Sequence, residues 1–233
     1  MSRSLFPVAV LAGGLGTRLR PWTESIPKVL IDVNGRPFLA HQLRLLASRG
    51  IERVVLCIGY KGEMIRAWAG DGSRFGLRLE YSEDWPLLLG TAGAVRQALP
   101  LLGERFFVLY GDSYLPCDYR AVQQAFLAAG KPALMTVYRN EGRWDTSNVE
   151  FAEGRILAYD KKCPTEPMRH IDYGLGVFES SVFDALPPGE VRDLADLYRD
   201  LLARDELAAF EVTERFWEVG SPAGWEELRS ILR

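Results

Sequence analysis

The chain has 233 residues, 48% hydrophobic and 25% charged, the balance of a soluble globular protein. At this length a folded chain buries roughly 70% of the surface its unfolded form exposes, so neither disulfides nor a structural metal is needed. Its 28 Lys and Arg against 31 Asp and Glu, with no run of like charge, exclude nucleic acid and an anionic membrane as main partners. Three scattered cysteines, Cys57, Cys117 and Cys163, form no C-x-x-C pair. They argue against a disulfide framework and a zinc site, and point to a reducing, cytoplasmic setting. Only His41 and His170 supply imidazole, so the chemistry is expected to rest on carboxylates, lysines and arginines.

In chain order, apolar strand-like runs at 7–12, 53–58, 106–110 and 133–138 alternate with helical spacing at 37–48, 63–69, 92–99 and 119–129. The first run is too short to span a membrane and is read as a buried strand. This βαβα order predicts a Rossmann-like α/β fold, a mostly parallel mixed sheet flanked by helices, with ligands at the carboxyl ends of its strands. After about residue 140 the texture changes. Runs at 147–151 and 155–159 flank Glu153-Gly154, a hairpin signal, and 171–178 reads as another strand. A helix over 191–204, strands at 208–212 and 215–219 and a last helix opening at Pro222 follow. Without a linker-like tract, 1–233 is expected to be a single domain with two halves: a nucleotide-binding half to about 140, and an acceptor half over 141–233.

Residues 11–30, LAGGLGTRLRPWTESIPKVL, follow the first strand and gather Gly13, Gly14, Gly16, Thr17, Arg18, Arg20 and Lys28. Glycines there let the backbone approach a phosphate chain with N–H groups turned inward, and the cations add charge-assisted hydrogen bonds. The alternative is a glycine-rich βα turn with surface cations. Neither the P-loop pattern G-x-x-x-x-G-K-[ST] nor G-x-G-x-x-G spacing is present.

The string L-A-G-G-x-G-T-R-L-x-P, then P-K-x-L and NGRPFL, resembles the opening signature of the sugar-1-phosphate nucleotidylyltransferases. The resemblance continues through GYKGE (59–63), LGTAGA (89–94), YGDSY (110–114), NVEF (148–151), AYDKK (158–162) and FWEVGSP (216–222). It implies the nucleotide-diphospho-sugar transferase fold, and an enzyme that joins a nucleoside triphosphate to a sugar 1-phosphate with release of pyrophosphate. It further implies that Leu11, Ala12, Gly13 and Gly14 line base and ribose, with Gly16 and Thr17 in the same loop. Arg18 would hold the outer phosphates, Lys28 would face the α-phosphate, and Gly90, Thr91 and Gly111 would complete the nucleotide site. Asp112 would bind magnesium with Glu218, and Lys162 would grip the acceptor's phosphate near Ser147, Asn148 and Gly174. The nucleophile is a phosphate oxygen already ionised at neutral pH, so such chemistry needs alignment and charge neutralisation rather than a strong base.

The chain departs from the family pattern in the acceptor half. Glu218 stands where Asp is usual, the glutamate of the E-K-P motif is missing, and Asp172-Tyr173-Gly174 replaces an Asn-Ala-Gly-like turn. The wording is most similar to D-glycero-D-manno-heptose 1-phosphate and mannose 1-phosphate guanylyltransferases, while GDGSRFGL resembles N-acetylmuramic acid 1-phosphate uridylyltransferases. A glycosyltransferase would carry a D-x-D motif, which is absent, and a non-catalytic sensor would be expected to lose Arg18, Lys28 or Asp112. Oligomeric state is left open.

Overall fold

The computed structural model describes residues 4–232. After β1 (Val8–Leu11) come three 3-10 turns (Thr17–Leu19, Trp22–Glu24, Lys28–Leu30), the hairpin β2 (Asp32–Val33) and β3 (Arg36–Pro37), and α1 (Phe38–Ser48). Then follow β4 (Arg53–Ile58), α2 (Gly62–Ala69), a 3-10 turn (Ser73–Phe75), β5 (Arg78–Glu83), α3 (Gly90–Leu102), β6 (Arg105–Tyr110), β7 (Ser113–Tyr114) and α4 (Tyr119–Ala129). The rest comprises β8 (Ala133–Arg139), β9 (Val149–Ala152), β10 (Arg155–Tyr159), β11 (His170–Glu179), α5 (Leu194–Ala203), β12 (Leu207–Val212), β13 (Trp217–Glu218) and α6 (Pro222–Ile231).

One nine-stranded sheet runs in the order β10-β9-β11-β6-β1-β4-β5, with β8 on β11 and β12 on β8. The first half is parallel, β1 pairing with β4 and β6, and β4 with β5. The second half turns antiparallel through β11, which pairs with β6, β8 and β9. The expected α/β architecture, a mixed sheet flanked by helices, is therefore present. Side-chain alternation divides the core. Val8, Val10, Val54, Leu56, Phe107 and Leu109 pack in one buried cluster, and Ala9, Val55, Cys57, Phe106 and Val108 in another. Both faces are covered, so these strands read as continuous apolar runs rather than alternating ones.

Local chemistry explains the boundaries. Asp118 caps α4, its carboxylate accepting from the Arg120 and Ala121 N–H groups at 2.9 and 3.1 Å. Ser221 caps α6 ahead of Pro222. Glu153 and Gly154 both adopt positive φ, the two-residue turn that closes the β9–β10 hairpin. The sequence pattern misses β5, whose Arg78, Glu80 and Glu83 interrupt the apolar signal because it lies at the sheet edge. The helix expected over 92–99 extends to Gly90–Leu102, and the strand expected over 215–219 shrinks to Trp217–Glu218.

Gly176 in β11 lies under the Tyr198 hydroxyl, and an added Cβ would also fall 2.9 Å from Phe178. Gly176→Ala should lower stability by about 1–3 kcal/mol, as overpacking does, measured by urea unfolding; unchanged stability would contradict this packing.

Candidate active site

The site grows from the end of β6. Gly111 lies directly on β1: its N–H donates to the Leu11 carbonyl at 3.0 Å, and a Cβ there would collide with that oxygen. The buried Gln42 of α1 holds the turn, donating to the carbonyls of Ser113 at 2.8 Å and Tyr110 at 3.3 Å. The Val219 N–H donates to the Asp112 carbonyl at 2.8 Å, bringing β13 alongside. The Asp112 carboxylate is thereby presented at the carboxyl end of the parallel strands, where open α/β sheets bind ligands.

Lys28 Nζ donates to Asp112 Oδ2 at 2.6 Å, and Arg18 Nη2 lies 3.9 Å from the same oxygen. Burial pushes the Asp112 carboxyl upward, but Lys28 and Arg18 outweigh it and hold the group below its ordinary value. An ideal Cβ on Gly220 would meet Asp112 Oδ2, Arg18 Nη2 and Glu218 Oε2, all within 3.0 Å, so both carboxylates and the arginine converge on one glycine. Glu218 is itself held by the Ser221 hydroxyl at 2.6 Å and by the Gly220 N–H.

Two cavities meet at Tyr110 and Asp112, which line both. The first, about 270 Å³, is lined by Leu11, Gly13, Gly14, Gly90, Thr91 and Gly111 of the expected nucleotide set, together with Lys28. A Cβ on Gly14 would meet nothing within 4 Å, so local packing does not demand that glycine, and the space beside it is open to a ligand. Gly90 does have a packing reason: φ is +71° and a Cβ would lie 2.6 Å from the Arg192 carbonyl. Ala12, Gly16 and Thr17 line neither cavity. The Ala12 N–H is taken by the Cys57 carbonyl at 2.8 Å, and Gly16 supplies the left-handed turn that starts the first 3-10 segment.

The same cavity contains groups that the sequence pattern does not single out. Asp84 accepts the Leu89 N–H at 3.0 Å through Oδ2, whereas its buried Oδ1 has no hydrogen-bond partner. Burial raises the Asp84 pKa, tempered by the Leu89 bond. Asp193 enters from the start of α5 and accepts the Thr91 hydroxyl at 2.7 Å. The Cys57 thiol is pushed up to about 12 by burial and by Asp84, so it stays protonated.

The second cavity, about 380 Å³, is lined by Arg18, Asn148, Lys161, Asp172, Gly174 and Glu218 among others. Lys161 Nζ lies 2.9 Å from Asp172 Oδ2 and 3.3 Å from the Tyr110 hydroxyl. Burial alone would lower the Lys161 pKa, but Asp172 and Tyr110 hold it above the usual lysine value, so it remains a cation. Asn148 Oδ1 accepts the Asp172 N–H at 2.9 Å and orients this wall.

Two of the residues expected on the acceptor side lie outside this lining. Lys162 lines neither cavity; Lys161 does. Asp160 Oδ1 accepts the N–H groups of Lys162 and Cys163 at 2.7 and 2.9 Å, and this turn carries the chain away after Lys161. Ser147 is also absent from the cavity. Its hydroxyl accepts from Asn140 Nδ2 at 3.1 Å and the Gly142 N–H at 3.0 Å, holding together the loop that places Asp145 and Thr146 in the wall.

The description "Nucleotidyl transferase" belongs to a family model that matches residues 8–230. The chain belongs to the sugar-1-phosphate nucleotidyltransferase family. It is 34% identical over 219 residues to a mannose-1-phosphate guanylyltransferase of Mycobacterium tuberculosis, covering 91% of this chain and 60% of that one. It is 28% identical over 228 residues to an N-acetylmuramate alpha-1-phosphate uridylyltransferase of Neisseria meningitidis, covering 95% and 96%. The chain thus spans about three fifths of the first relative's length and nearly all of the second's. Among solved structures, HddC from Yersinia pseudotuberculosis complexed with GMP-PN superposes with a TM-score of 0.82 at 21% identity, covering 98% of this chain and 100% of that one. The inositol-1-phosphate CTP transferase of T. maritima gives 0.79 at 22%, covering 99% and 97%. These structures share the fold.

No helix among the described residues of this family member is long and apolar enough to cross a membrane. Because the folded-state pKa of Asp112 is depressed, its ion pair adds stability above the usual carboxylate pKa near about 3.9 and loses it as pH falls through the native value. Asp112→Asn should cost about 1–3 kcal/mol at pH 7, with the gap to wild type closing below about pH 4. Urea unfolding at both pH values checks this, and a pH-independent gap would contradict it.

Proposed function

We propose that the chain transfers a nucleotidyl group from a nucleoside triphosphate to a sugar 1-phosphate, and that the nucleotide is GTP. One observation carries the reaction class: two cavities share Asp112, with Lys28 and Arg18 converging on its carboxylate. A triphosphate in the first cavity and a sugar phosphate in the second would present their phosphates to each other at this junction. The acceptor's phosphate oxygen attacks the α-phosphorus as the bond to the β-phosphate oxygen breaks, and pyrophosphate departs. Lys28 and Arg18 neutralise charge on the triphosphate, and Lys161, rather than Lys162, holds the acceptor phosphate. No general base is required, because the nucleophile is already an anion.

The donor set suits magnesium. Asp112 and Glu218 offer hard oxygen ligands on one cavity, and among the described residues no cluster of three or more His, Cys, Asp or Glu surrounds them. An ion held by two carboxylates keeps places for water and phosphate oxygens, as magnesium does in phosphate-transfer sites. Bound there, it would supply Lewis-acid neutralisation of the phosphate charge.

Asp84 supports guanine. A buried carboxylate oxygen without a partner is costly until a donor reaches it. Guanine presents adjacent N–H donors on one edge, whereas uracil presents a single donor between two carbonyls that would face the carboxylate. The likeness to the mannose-1-phosphate guanylyltransferase points the same way. A uridylyl reading draws on the muramate relative, which this chain matches over nearly its full length. Asp145, Thr146, Asn148 and Asp172 give the second cavity the oxygen-rich wall that a polyhydroxy acceptor such as heptose or mannose 1-phosphate needs.

Pyrophosphate release should be greatest with GTP and magnesium when nucleotides are assayed against mannose, heptose, glucose and N-acetylmuramic acid 1-phosphates. Chelation should stop it, and Asp84→Asn should reduce kcat/KM for GTP by at least tenfold, about 1.4 kcal/mol. Release with UTP alone would replace the guanylyl reading; folded protein that is silent with every pair would sink the transferase reading. Lys161→Ala should raise the acceptor KM at least tenfold while Lys162→Ala changes it less than twofold. The reverse pattern would restore Lys162.

A further inference from the structure

A third cavity, about 260 Å³, lies between the β2–β3 hairpin, one face of α1 and the Ser73–Phe75 turn, and none of its residues lines the two cavities above. Arg36, Arg44 and Arg74 line it, together with Trp68 and Phe75, and no carboxylate does. The Arg74 guanidinium sits 4.2 Å from the centre of the Trp68 ring and 4.8 Å from that of Phe75, and Arg44 lies 5.8 Å from the same Phe75 ring. Stacking of this kind preorganises guanidinium groups; Arg74 Nη2 also donates to the Trp68 carbonyl, which fixes that guanidinium and leaves its remaining N–H donors to a ligand. The nearby acids turn to the backbone, Asp32 Oδ1 accepting the Gly35 N–H at 3.1 Å and Asp71 Oδ1 the Ser73 N–H at 3.0 Å, and among the described residues neither forms an ion pair with these arginines. α1 begins without a side-chain cap, and Pro37 and Ala40 at its start line the cavity, so the helix N-terminus adds further positive potential.

We propose that this cavity binds a phosphate dianion, supplied as inorganic phosphate or as the monoester of a small metabolite. Like charges around one cavity repel, and in a chain of net charge −3 this concentration of unneutralised cations stands out. A phosphate matches guanidinium forks through paired hydrogen bonds, and Trp68 and Phe75 offer an apolar wall to an organic substituent. The hairpin is coupled to the rest of the fold: Asn34 donates to the Arg229 and Leu232 carbonyls at 2.6 and 2.5 Å, and Trp225 Nε1 to the Asp32 carbonyl at 2.7 Å. An anion here therefore braces the segment that follows Lys28 and anchors α6.

The test is thermal unfolding at constant ionic strength with added inorganic phosphate or glycerol phosphate, chloride serving as control. Ligand binding to the folded state raises Tm. The wild-type protein and the Lys28→Gln/Lys161→Gln double variant should both gain stability with phosphate, and Arg44→Gln/Arg74→Gln should lose more than half of the wild-type gain. Arg36→Gln serves as an independent single variant and should also reduce it. A larger shift with glycerol phosphate than with phosphate identifies a monoester, and equal or smaller shifts identify the free ion. The proposal is overturned if wild type shows no gain, if the arginine double variant keeps half or more of it, or if the lysine double variant abolishes it. Nucleotidyl transfer by Arg44→Gln/Arg74→Gln without added phosphate should match wild type, which separates this site from the active site.

Discussion

The contact between Asp112 Oδ2 and Lys28 Nζ at 2.6 Å joins segments 84 residues apart in the chain, and the site is arranged around it. Placing a carboxylate there depends on a backbone approach that only glycine permits, Gly111 lying on the Leu11 carbonyl. It also depends on Gln42, whose side chain spends its donors on the two carbonyls flanking the turn. Held between Lys28 and Arg18, the carboxylate stays ionised despite burial, because the two cations outweigh desolvation. In the proposed reaction a phosphate chain would engage the two cations and a hard cation the carboxylate, so the ion pair would serve as a preorganised charge centre as well as a structural bridge.

Around that centre the sheet changes character. β6 pairs in parallel with β1 on one side and antiparallel with β11 on the other, so the strand carrying Asp112 is the seam between two arrangements. The parallel side contributes glycine-rich turns at strand ends, and the antiparallel side contributes long polar residues from β11 and the segment after β10. Two differently lined cavities consequently open on either side of Tyr110 and Asp112. In the proposed reaction, two phosphates held in register at such a seam would meet by a local rearrangement rather than by an encounter between free anions. Each cavity draws its lining from both ends of the chain, with Asp193 in the first and Arg18 in the second.

Much of this was legible in the residues. Continuous apolar runs gave β1, β4, β6 and β8, because strands buried on both faces carry no polar alternation. The glycine-rich opening, Arg18, Lys28, Asp112 and Glu218 could be singled out by motif, and the structure brings the four side chains together. β5 was hidden because an edge strand carries charge. The lysine facing the second cavity was displaced by one residue, since the turn made by Asp160 decides which of two adjacent lysines faces inward, and neighbouring lysines look alike in a string of letters.

The sequence by itself determined the sheet's parallel half, its glycine-dependent turns and the chemical types available to the site, because periodicity and residue chemistry are local properties. Tertiary structure alone decided which groups reach the cavities. Asp84 matters because its Oδ1 is buried without a partner, and Ser147 is excluded because its hydroxyl is spent on Asn140 and Gly142. The arginines at 36, 44 and 74 surround one cavity because α1, the hairpin and a 3-10 turn meet there. Burial, hydrogen-bond satisfaction and charge neighbourhood depend on contacts between segments distant in the chain, and only the folded chain specifies them.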